Sequence, residues 1–381
     1  METDNGKQTI LWQLATRSLV ANTESDPRQQ GSVSKEVERV IVRTLPLEEL
    51  VRDAAQYLQR DELVAFPTET VYGLGANALS SKALQRVFAA KQRPLDNPLI
   101  AHISALTQLD DLTETVSPRI LEIMKTFWPG PLSILLPARK ELPHELTAGL
   151  PTVAVRMPNH ALTLALIEAA GVPVAGPSAN VSGRPSPTNA YHVLEDLSGK
   201  IAGIVDGGAC SVGIESTVIE VSEKEIVILR PGAITPKDLA RFGLSVRYDE
   251  HLIAQREVEV QPRSPGQKYR HYAPRGELRV ISGRESRVID YIQDEIEMAH
   301  EKGLRIALIG FEPHIGQLAD CRYSFHSEVS GMAVHLYDAL RTCDAQEIDV
   351  ILAQGFDQSE AYFAVMNRLF KASGGTVITL T

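Results

Sequence analysis

The segment KQRPLDNPLIAH, residues 91–102, gathers cationic and polar side chains at the end of a predicted helix. Lys91 and Arg93 lie at the helix end, and Asn97 and His102 follow in the next turn and strand. Cations at this position complement the helix dipole, which is one interpretation. The other is an anion clamp, because ammonium and guanidinium groups form strong hydrogen bonds to phosphate and carboxylate. The remaining segments decide between the two.

A loop rich in glycine, serine and proline, GPSANVSGRPSPT, spans residues 176–188 directly after the apolar strand VPVAG. Such a loop can present backbone N–H groups and the side chains of Ser178, Asn180 and Ser186 to an anion. A surface loop without function is the alternative. The sequence contains no G-x-x-x-x-G-K-[ST] motif, so a P-loop nucleotide site is not predicted.

Hydroxyl groups repeat in the segment FPTETVYGLGANA, residues 66–78. Thr68, Thr70 and Tyr72 alternate along what the pattern predicts to be an extended stretch, so all three are expected on one side. The glycines that follow permit close approach of a ligand to the backbone. A strand end with a plain turn is the alternative.

Arginine ends two further apolar strands, Arg156 in TVAVRMP and Arg230 in ILRPGAIT. A buried charge without a partner is costly, so each arginine needs an anionic ligand or a protein carboxylate. Thr152 and Ser216 lie in the same pair of segments, TVAVRMP and GIESTVIEV. Together, the cationic and hydroxyl groups suit a nucleotide and a small zwitterion. Without a triad, HExxH or paired-carboxylate motif, catalysis is predicted to rest on positioning and charge stabilisation.

The composition of the chain indicates a globular protein and argues against several other classes. The chain has 381 residues, 44% of them hydrophobic and 23% charged, which is typical of a globular protein. Its net charge of −10 argues against a broad nucleic-acid-binding face. Cys210, Cys321 and Cys343 are isolated, so neither a zinc site nor a disulfide framework is predicted, and a reducing cytoplasm fits. No apolar run reaches membrane-spanning length, and the N-terminus lacks a signal-peptide core.

Alternating apolar strands and amphipathic helices predict an α/β protein with mainly parallel, doubly wound sheet structure. The predicted organisation has four parts. These are a flexible N-terminal extension without assigned fold (1–44), a large catalytic α/β domain (45–245), a linker (246–276) and a smaller α/β domain (277–381).

The motifs occur in the order found in YrdC-type threonylcarbamoyl-AMP synthases, and the chain resembles that family. The resemblance covers residues 45–381, and SPGQKYRHYAP and AVMNRLFKAS are similar to the long, two-domain form. It implies a large YrdC-like α/β domain with a twisted, mostly open sheet, followed by a smaller Rossmann-like domain with a doubly wound parallel sheet. The motifs that carry it are FPTETVYGLGANA, KQRPLDNPLIAH, WPGPLSILL, TVAVRMP, PSANVSGRPSPT, GIESTVIEV and LRPGAIT.

The resemblance also implies an activity. Family members condense L-threonine, bicarbonate or CO₂, and ATP with Mg²⁺ into threonylcarbamoyl-AMP and release pyrophosphate. A threonylcarbamoyl-transferase complex then passes the group to the adenosine beside the anticodon of certain tRNAs. Neither a membrane nor stable direct binding of nucleic acid is implied for the synthase itself.

The resemblance assigns roles to residues of this chain, with Lys91 and Arg93 as positioning and charge-stabilising groups and no acid or base. The resemblance implies that His271 and Tyr272 of the linker close over the site. The run of aromatic and basic residues, with Tyr269, Arg270 and His271, predicts a lid, and docking of the second domain onto the first is the alternative. No protein ligand of Mg²⁺ is implied. The implied threonine-binding residues are Thr68, Thr70, His102, Arg156 and Ser216. The implied ATP-binding residues are Lys91, Arg93, Asn97, Thr152, Ser178, Asn180, Ser186, Arg230 and Tyr272.

Two other functions remain open on the sequence. One is a carbamoyl-adenylate-forming module of the hydrogenase-maturation type, which contains a similar unit but also carries zinc-finger cysteines that this chain lacks. The other is a double-stranded-RNA-binding translation module. The negative net charge counts against the second function, since RNA binding depends on cationic contacts to phosphate.

Overall fold

The computed structural model describes residues 8–15, 40–254, 262–263, 272–325, 329–356 and 360–381. The predicted lid residues Tyr269, Arg270 and His271 lie outside this part of the chain. Within the described residues, the strands form one twelve-stranded and one five-stranded sheet. No helix of the described part combines the length and the apolar character needed to cross a membrane.

The large sheet is mixed, with parallel and antiparallel neighbours in the order β12-β11-β10-β6-β7-β5-β8-β4-β3-β9-β1-β2. Its strands are β1 (Thr9–Leu14), β2 (Val40–Leu45), β3 (Val64–Phe66), β4 (Gly73–Asn77), β5 (Ile100–His102), β6 (Leu132–Pro137), β7 (Thr152–Arg156), β8 (Val174–Ala175), β9 (Gly203–Val205), β10 (Thr217–Val221), β11 (Glu225–Arg230) and β12 (Ser245–Tyr248). Its helices are α1 (Leu47–Gln59), α2 (Ser81–Lys91), α3 (Pro118–Phe127), α4 (His144–Thr147), α5 (Ala161–Ala170), α6 (Ala190–Leu197), α7 (Pro236–Leu239) and α8 (Glu250–Ala254), with 3-10 turns at Leu106–Asp111 and Ala240–Phe242.

The smaller sheet belongs to the C-terminal domain, residues 277–381, and all its strand pairs are parallel, in the order β15-β14-β16-β13-β17. Apolar side chains are buried on both faces of this sheet, as expected where helices cover both sides. The predicted fold class is confirmed. The elements are β13 (Glu277–Gly283), α9 (Glu285–Glu301), β14 (Ile306–Ile309), β15 (Cys321–Tyr323), α10 (Val329–Ala345), β16 (Val350–Gln354), α11 (Glu360–Ala372) and β17 (Val377–Leu380).

The N-terminal part of the chain corrects one prediction. Residues 1–44 were expected to be a flexible extension, but β1 is an inner strand of the large sheet, paired in parallel with both β2 and β9. Trp12 is fully buried, and its indole N–H donates to Asp53 of α1 at 2.9 Å. Residues 16–39, between the two strands, are polar, and nothing in the sequence therefore indicated that β1 and β2 belong to the same sheet. Parallel strands pair through a long connection, so their pairing depends on tertiary packing and leaves no local sequence pattern.

The expected linker also begins later than predicted. β12 pairs in parallel with β11, from Ser245 opposite Glu225 to Tyr248 opposite Ile228, and α8 follows. The domain of the large sheet therefore extends to Ala254, and the predicted boundary at residue 245 cuts through its edge strand. An exposed edge strand has few buried apolar residues, and its sequence pattern is correspondingly weak.

The two domains share one apolar cluster. Val71 and Ile214 of the first domain are buried in the same group of side chains as Met332 and Leu336 of α10. Gly213 makes this contact possible: it has φ of 77°, and a Cβ there would lie 2.4 Å from the Cα of a residue in α10. Any larger residue at this position would push the C-terminal domain away from the loop before β10.

Candidate active site

Loops at the ends of several strands of the large sheet surround one pocket, which encloses about 710 Å³ when its open mouth is included. Four arginines, a lysine and many hydroxyl or amide groups face it, so its walls are polar and cationic. The lining residues are Thr68, Thr70, Val71, Gly73, Lys91, Arg93, Ile100, His102, Arg156, Gly176, Pro177, Ser178, Asn180, Ser182, Arg184, Glu215, Ser216, Arg230 and Tyr272.

Helix α2 places Lys91 in this pocket. The helix begins after Ser80, whose hydroxyl accepts from the N–H of Ala83, and it ends at Lys91. The Lys91 ammonium group donates to the carbonyl of Ser178 and, at 2.6 Å, to that of Asn180. Burial, followed by the charge of Arg93, lowers the pKa of Lys91. Lys91 therefore stabilises the conformation of the glycine- and serine-rich loop by binding two of its backbone carbonyls.

Arg93 lies just beyond this helix and lines the pocket. One of its terminal nitrogens donates to the carbonyl of Pro98 at 3.1 Å. Among the described residues, its Nε and the side-chain oxygens of Asn97 and Asn180 are buried without a hydrogen-bond partner. Because buried polar atoms are nearly always paired, this group of unpaired atoms indicates a polar ligand.

Arg230 forms a second cationic wall. It is the last residue of β11, and its guanidinium donates to the carbonyl and the hydroxyl of Ser216, both at 2.9 Å. The Ser216 hydroxyl also lies 2.8 Å from that of Ser133. Burial lowers the pKa values of Arg93 and Arg230 to about 10, so both remain cations near neutral pH.

The segment after β3 is a turn, which corrects the predicted extended stretch. The Thr68 hydroxyl accepts from the N–H groups of Thr70 and Val71, at 3.1 and 3.2 Å, and donates to the Val71 carbonyl. Thr68 and Thr70 line the pocket, whereas the Tyr72 hydroxyl points elsewhere and donates to the carbonyl of Gly208. A serine or threonine that bonds its own backbone replaces the period-two alternation with a turn.

Arg156 is fixed at the end of β7 by three partners. It donates to the Thr70 hydroxyl at 2.8 Å and to the Gly130 carbonyl at 3.1 Å, and it forms an ion pair with Glu69 at 2.7 Å. Both charged side chains are buried. On the sequence, the partner of Arg156 could be a ligand or a protein carboxylate, and the structure supplies a carboxylate, Glu69.

His102 contributes a neutral group to the same wall. Burial, followed by the charge of Arg156, lowers its pKa to about 3. Its ring packs edge-on against Phe66, with centroids 5.4 Å apart. A neutral imidazole has one donor and one acceptor nitrogen, so His102 can orient a ligand without adding charge.

Tyr272, at the end of the linker, also lies in the pocket. Its backbone has φ of 66°, and the next residue, Ala273, donates its N–H to the carbonyl of Gly183 at 2.8 Å. Burial raises the pKa of Tyr272 to about 12, so its hydroxyl remains protonated. The end of the linker is therefore attached to the pocket loop.

Glu215 connects the pocket to the C-terminal domain. Its carboxylate accepts from Ser186 at 2.6 Å, Arg368 at 2.8 Å and Tyr337 at 3.0 Å. Burial alone would raise its pKa, but Arg368 and Arg230 outweigh that effect and hold it at about 2. Glu215 is therefore ionised at physiological pH.

This ion pair predicts an acid-sensitive domain contact. The pKa of Glu215 is lower in the folded than in the unfolded chain, so its stabilising effect is complete above about pH 4.5 and is lost as pH falls toward 2. We expect the melting temperature to fall more steeply between pH 5 and 3 for the unmodified chain than for Glu215→Gln, as measured by circular dichroism. Parallel curves for the two proteins would contradict this.

The structure brings most of the predicted site residues together. Asn97 and Ser186 are buried near the lining: Asn97 has its unpaired oxygen, and Ser186 supports Glu215. Thr152 is absent from the lining residues of this pocket, since it is the first residue of β7 and Arg156 is the last. Glu69, Glu215 and Arg184 were not predicted as site residues, although each lies inside one of the sequence motifs that surround the pocket.

The described residues contain no group of three or more acidic, histidine or cysteine side chains that could hold a metal ion. Glu215, the one carboxylate among the lining residues, already pairs with Arg368. The donor groups of this pocket therefore suit an anion, and a divalent cation would be held chiefly by the anion's own oxygens.

Two family models match the chain. The Sua5_yciO_yrdC model, described as telomere recombination, matches residues 56–232. A second model, described as threonylcarbamoyl-AMP synthase, C-terminal domain, matches residues 234–374. The first match lies within the domain of the large sheet, and the second covers the end of that domain, the linker and most of the C-terminal domain. Together they include the segments that line the pocket.

Curated relatives and a solved structure agree with these matches. A threonylcarbamoyl-AMP synthase of Bacillus subtilis (strain 168) is 45% identical over 332 residues, covering 86% of this chain and 94% of its own. One of Pyrococcus abyssi is 44% identical over 328 residues, covering 86% and 95%. The crystal structure of P. abyssi Sua5 complexed with L-threonine has a TM-score of 0.83 at 43% identity, covering 89% and 98%. These names support the main functional prediction and neither alternative. The chain belongs to the threonylcarbamoyl-AMP synthase family, in its two-domain form.

Proposed function

We propose that this pocket condenses L-threonine, bicarbonate or CO₂, and Mg²⁺-bound ATP into threonylcarbamoyl-AMP and pyrophosphate. The observation that carries the proposal is the convergence of two cationic walls on one pocket. Arg156 stands with Thr70 and His102 on one wall, and Arg93 and Arg230 stand on the other. One wall suits an amino-acid carboxylate, and the other suits a chain of phosphates.

Threonine is assigned to the wall formed by Thr68, Thr70, His102, Arg156 and Ser216. The α-carboxylate faces the Arg156 guanidinium, whose orientation is already fixed by Gly130 and Glu69. The related protein of P. abyssi was crystallised with L-threonine, which supports an amino-acid site in this fold. A guanidinium held in place before binding loses little freedom when the ligand arrives.

ATP is assigned to the wall formed by Arg93, Arg230 and the loop of residues 176–188. The unpaired side-chain oxygens of Asn97 and Asn180 can accept from the base or ribose, and Arg93 and Arg230 face the phosphates. Lys91 contributes mainly by holding the carbonyls of the loop away from the anion. Tyr272 lines the same pocket.

The proposed chemistry rests on electrostatic stabilisation. The threonine amine takes up CO₂ as an N-carboxylate, releasing a proton, and a carboxylate oxygen then attacks the α-phosphorus of ATP. The bond from the α-phosphorus to the bridging oxygen breaks, and pyrophosphate leaves. Several anionic groups approach one another, and fixed cations such as Arg93 and Arg230 lower that barrier without reorganising. Mg²⁺ belongs to this proposal as the companion of the ATP phosphates, where it would neutralise charge.

The product serves a later reaction. A threonylcarbamoyl-transferase complex is proposed to consume it when modifying the adenosine next to the anticodon of tRNA. Cytoplasmic location is part of the same proposal, and the free thiols of Cys210, Cys321 and Cys343 are compatible with a reducing compartment.

The test is pyrophosphate release by the purified full chain, with one substrate omitted at a time. We expect release from ATP only when threonine, bicarbonate and Mg²⁺ are all present, together with threonylcarbamoyl-AMP detected by mass spectrometry. Serine in place of threonine serves as the matched control for the amino acid. Equal release without threonine would mean a general ATPase and would contradict the proposal.

A further inference from the structure

Two side chains of the C-terminal domain reach the edge of the pocket, although neither belongs to the loops that form it. Tyr337 of α10 and Arg368 of α11 are both buried. Nε of Arg368 donates to one oxygen of the Glu215 carboxylate at 2.8 Å, and the Tyr337 hydroxyl donates to the same oxygen at 3.0 Å. Ser186 occupies the other oxygen at 2.6 Å. Arg368 therefore pairs directly with Glu215.

Glu215 carries a negative charge, as do the phosphates that are proposed to bind in this pocket. It lines the same pocket as Arg93 and Arg230, the cations that suit phosphate. An unpaired carboxylate there would repel the phosphates and would compete with them for the nearby arginines. Pairing with Arg368 neutralises this carboxylate, and the Arg230 guanidinium donates to the Ser216 hydroxyl.

The same two residues support Tyr272. The rings of Tyr272 and Tyr337 pack with centroids 5.3 Å apart, and the Arg368 guanidinium lies 5.8 Å from the centre of the Tyr272 ring. Tyr272 has a left-handed backbone, which is unfavourable for a bulky residue unless its surroundings hold it. The aromatic contact from α10 and the cation–π contact from α11 stabilise this conformation of Tyr272.

A further cation of α11 lies in the same electrostatic environment. Lys371 is three residues beyond Arg368, and burial, followed by the charges of Arg368 and Arg230, lowers its pKa to about 7, while Glu215 opposes the shift. Arg368 of the same helix pairs with Glu215, which lines the pocket, so this face of α11 borders the cationic side of the pocket. The charged side chains of α11 therefore act on the residues of the pocket, and the helix is also part of the domain interface.

We propose that Arg368 and Tyr337 are positioning residues of the nucleotide subsite, through which the C-terminal domain neutralises Glu215 and seats Tyr272 over the phosphates. The inference rests on the proposed assignment of ATP to this pocket. It gives the second domain a part in nucleotide binding, beyond tethering the linker. A domain that acted only as a tether would need no buried ion pair at the pocket wall.

The test measures the dissociation constant of Mg²⁺-ATP by equilibrium dialysis and that of threonine by calorimetry, on full-length variants with melting curves recorded. Arg368→Gln should weaken ATP binding about tenfold, the effect of one charge-assisted contact, and change threonine binding much less. Tyr337→Phe keeps the ring and loses only the hydroxyl, so about a threefold loss is expected, with folding preserved.

A rescue experiment separates charge neutralisation from simple support. Adding Glu215→Gln to Arg368→Gln removes the unpaired carboxylate and should restore most of the ATP affinity. The matched control is Arg341→Gln, since Arg341 is equally buried and crosses the same interface to Asp196 at 2.9 Å and to the Pro185 carbonyl at 2.7 Å. Glu215→Gln should give no rescue in that background.

The outcomes are distinct. Unchanged ATP affinity in both Arg368→Gln and Tyr337→Phe overturns the inference, as does a rescue that is equal in the Arg341→Gln background. If Arg368→Gln fails to fold, the Tyr337→Phe affinities decide alone. If the unmodified chain binds ATP but makes no threonylcarbamoyl-AMP, the proposed function fails while the affinities still test the inference. If the unmodified chain does not bind ATP, both are overturned.

Discussion

Replacing Arg156 with alanine should reduce formation of threonylcarbamoyl-AMP by about 100- to 1,000-fold at subsaturating threonine. This corresponds to roughly 3–4 kcal/mol, or two charge-assisted hydrogen bonds to a carboxylate. The Michaelis constant for threonine should carry most of the loss, and that for ATP should change little. Initial rates at varied threonine and fixed ATP provide the measurement.

The same substitution leaves Glu69 buried without its cation, which typically costs about 3–5 kcal/mol of stability. The double variant Arg156→Ala with Glu69→Ala separates the two effects, because it removes both charges. We expect it to recover much of the melting temperature and none of the activity. Arg156→Lys keeps the positive charge but lacks the planar guanidinium, so its activity should lie between those of the unmodified protein and Arg156→Ala. An Arg156→Ala protein with normal activity per folded molecule would show that Arg156 serves only the fold.

Replacing Arg93 with alanine should weaken ATP use by about one to two orders of magnitude, from roughly 1.5–3 kcal/mol of lost contact to phosphate. Its Nε is buried without a partner among the described residues, and its other contacts are backbone carbonyls, of which Pro98 is the nearer. The loss should therefore appear in the Michaelis constant for ATP, measured by pyrophosphate release, while the fold persists.

The competing interpretation of Arg93 is a structural one, in which it only closes the end of α2. That interpretation predicts early melting together with normal activity per folded molecule. Arg93→Lys is the informative control, since lysine retains the positive charge but cannot reproduce the guanidinium fork. A lysine variant with nearly normal ATP dependence would mean that charge matters more than geometry at this position.

The cationic side chains of the site were predictable because each lies next to a strong local signal. Arg93 follows a helix end, and Arg156 and Arg230 end apolar strands. The acidic residues were not predictable in the same way. Glu69 and Glu215 lie inside the sequence motifs of the site, but a carboxylate is not expected in a pocket that binds anions. Their roles became clear only when the structure showed the arginine that pairs with each of them. Lys91 illustrates the same limit, since only the structure shows it bonding to loop carbonyls.

The sequence by itself determined the α/β class, the parallel C-terminal sheet, the family resemblance and the segments that surround the pocket. These depend on periodicity, capping and short motifs, all of which are local. Contacts between distant parts of the chain were decided only by the tertiary structure. β1 lies between β2 and β9 in the large sheet, and Arg368 binds Glu215, which is 153 positions away in the sequence. Such contacts are selected by the packing of whole domains, because burying a charge or a strand is favourable only where its distant partner is already in place.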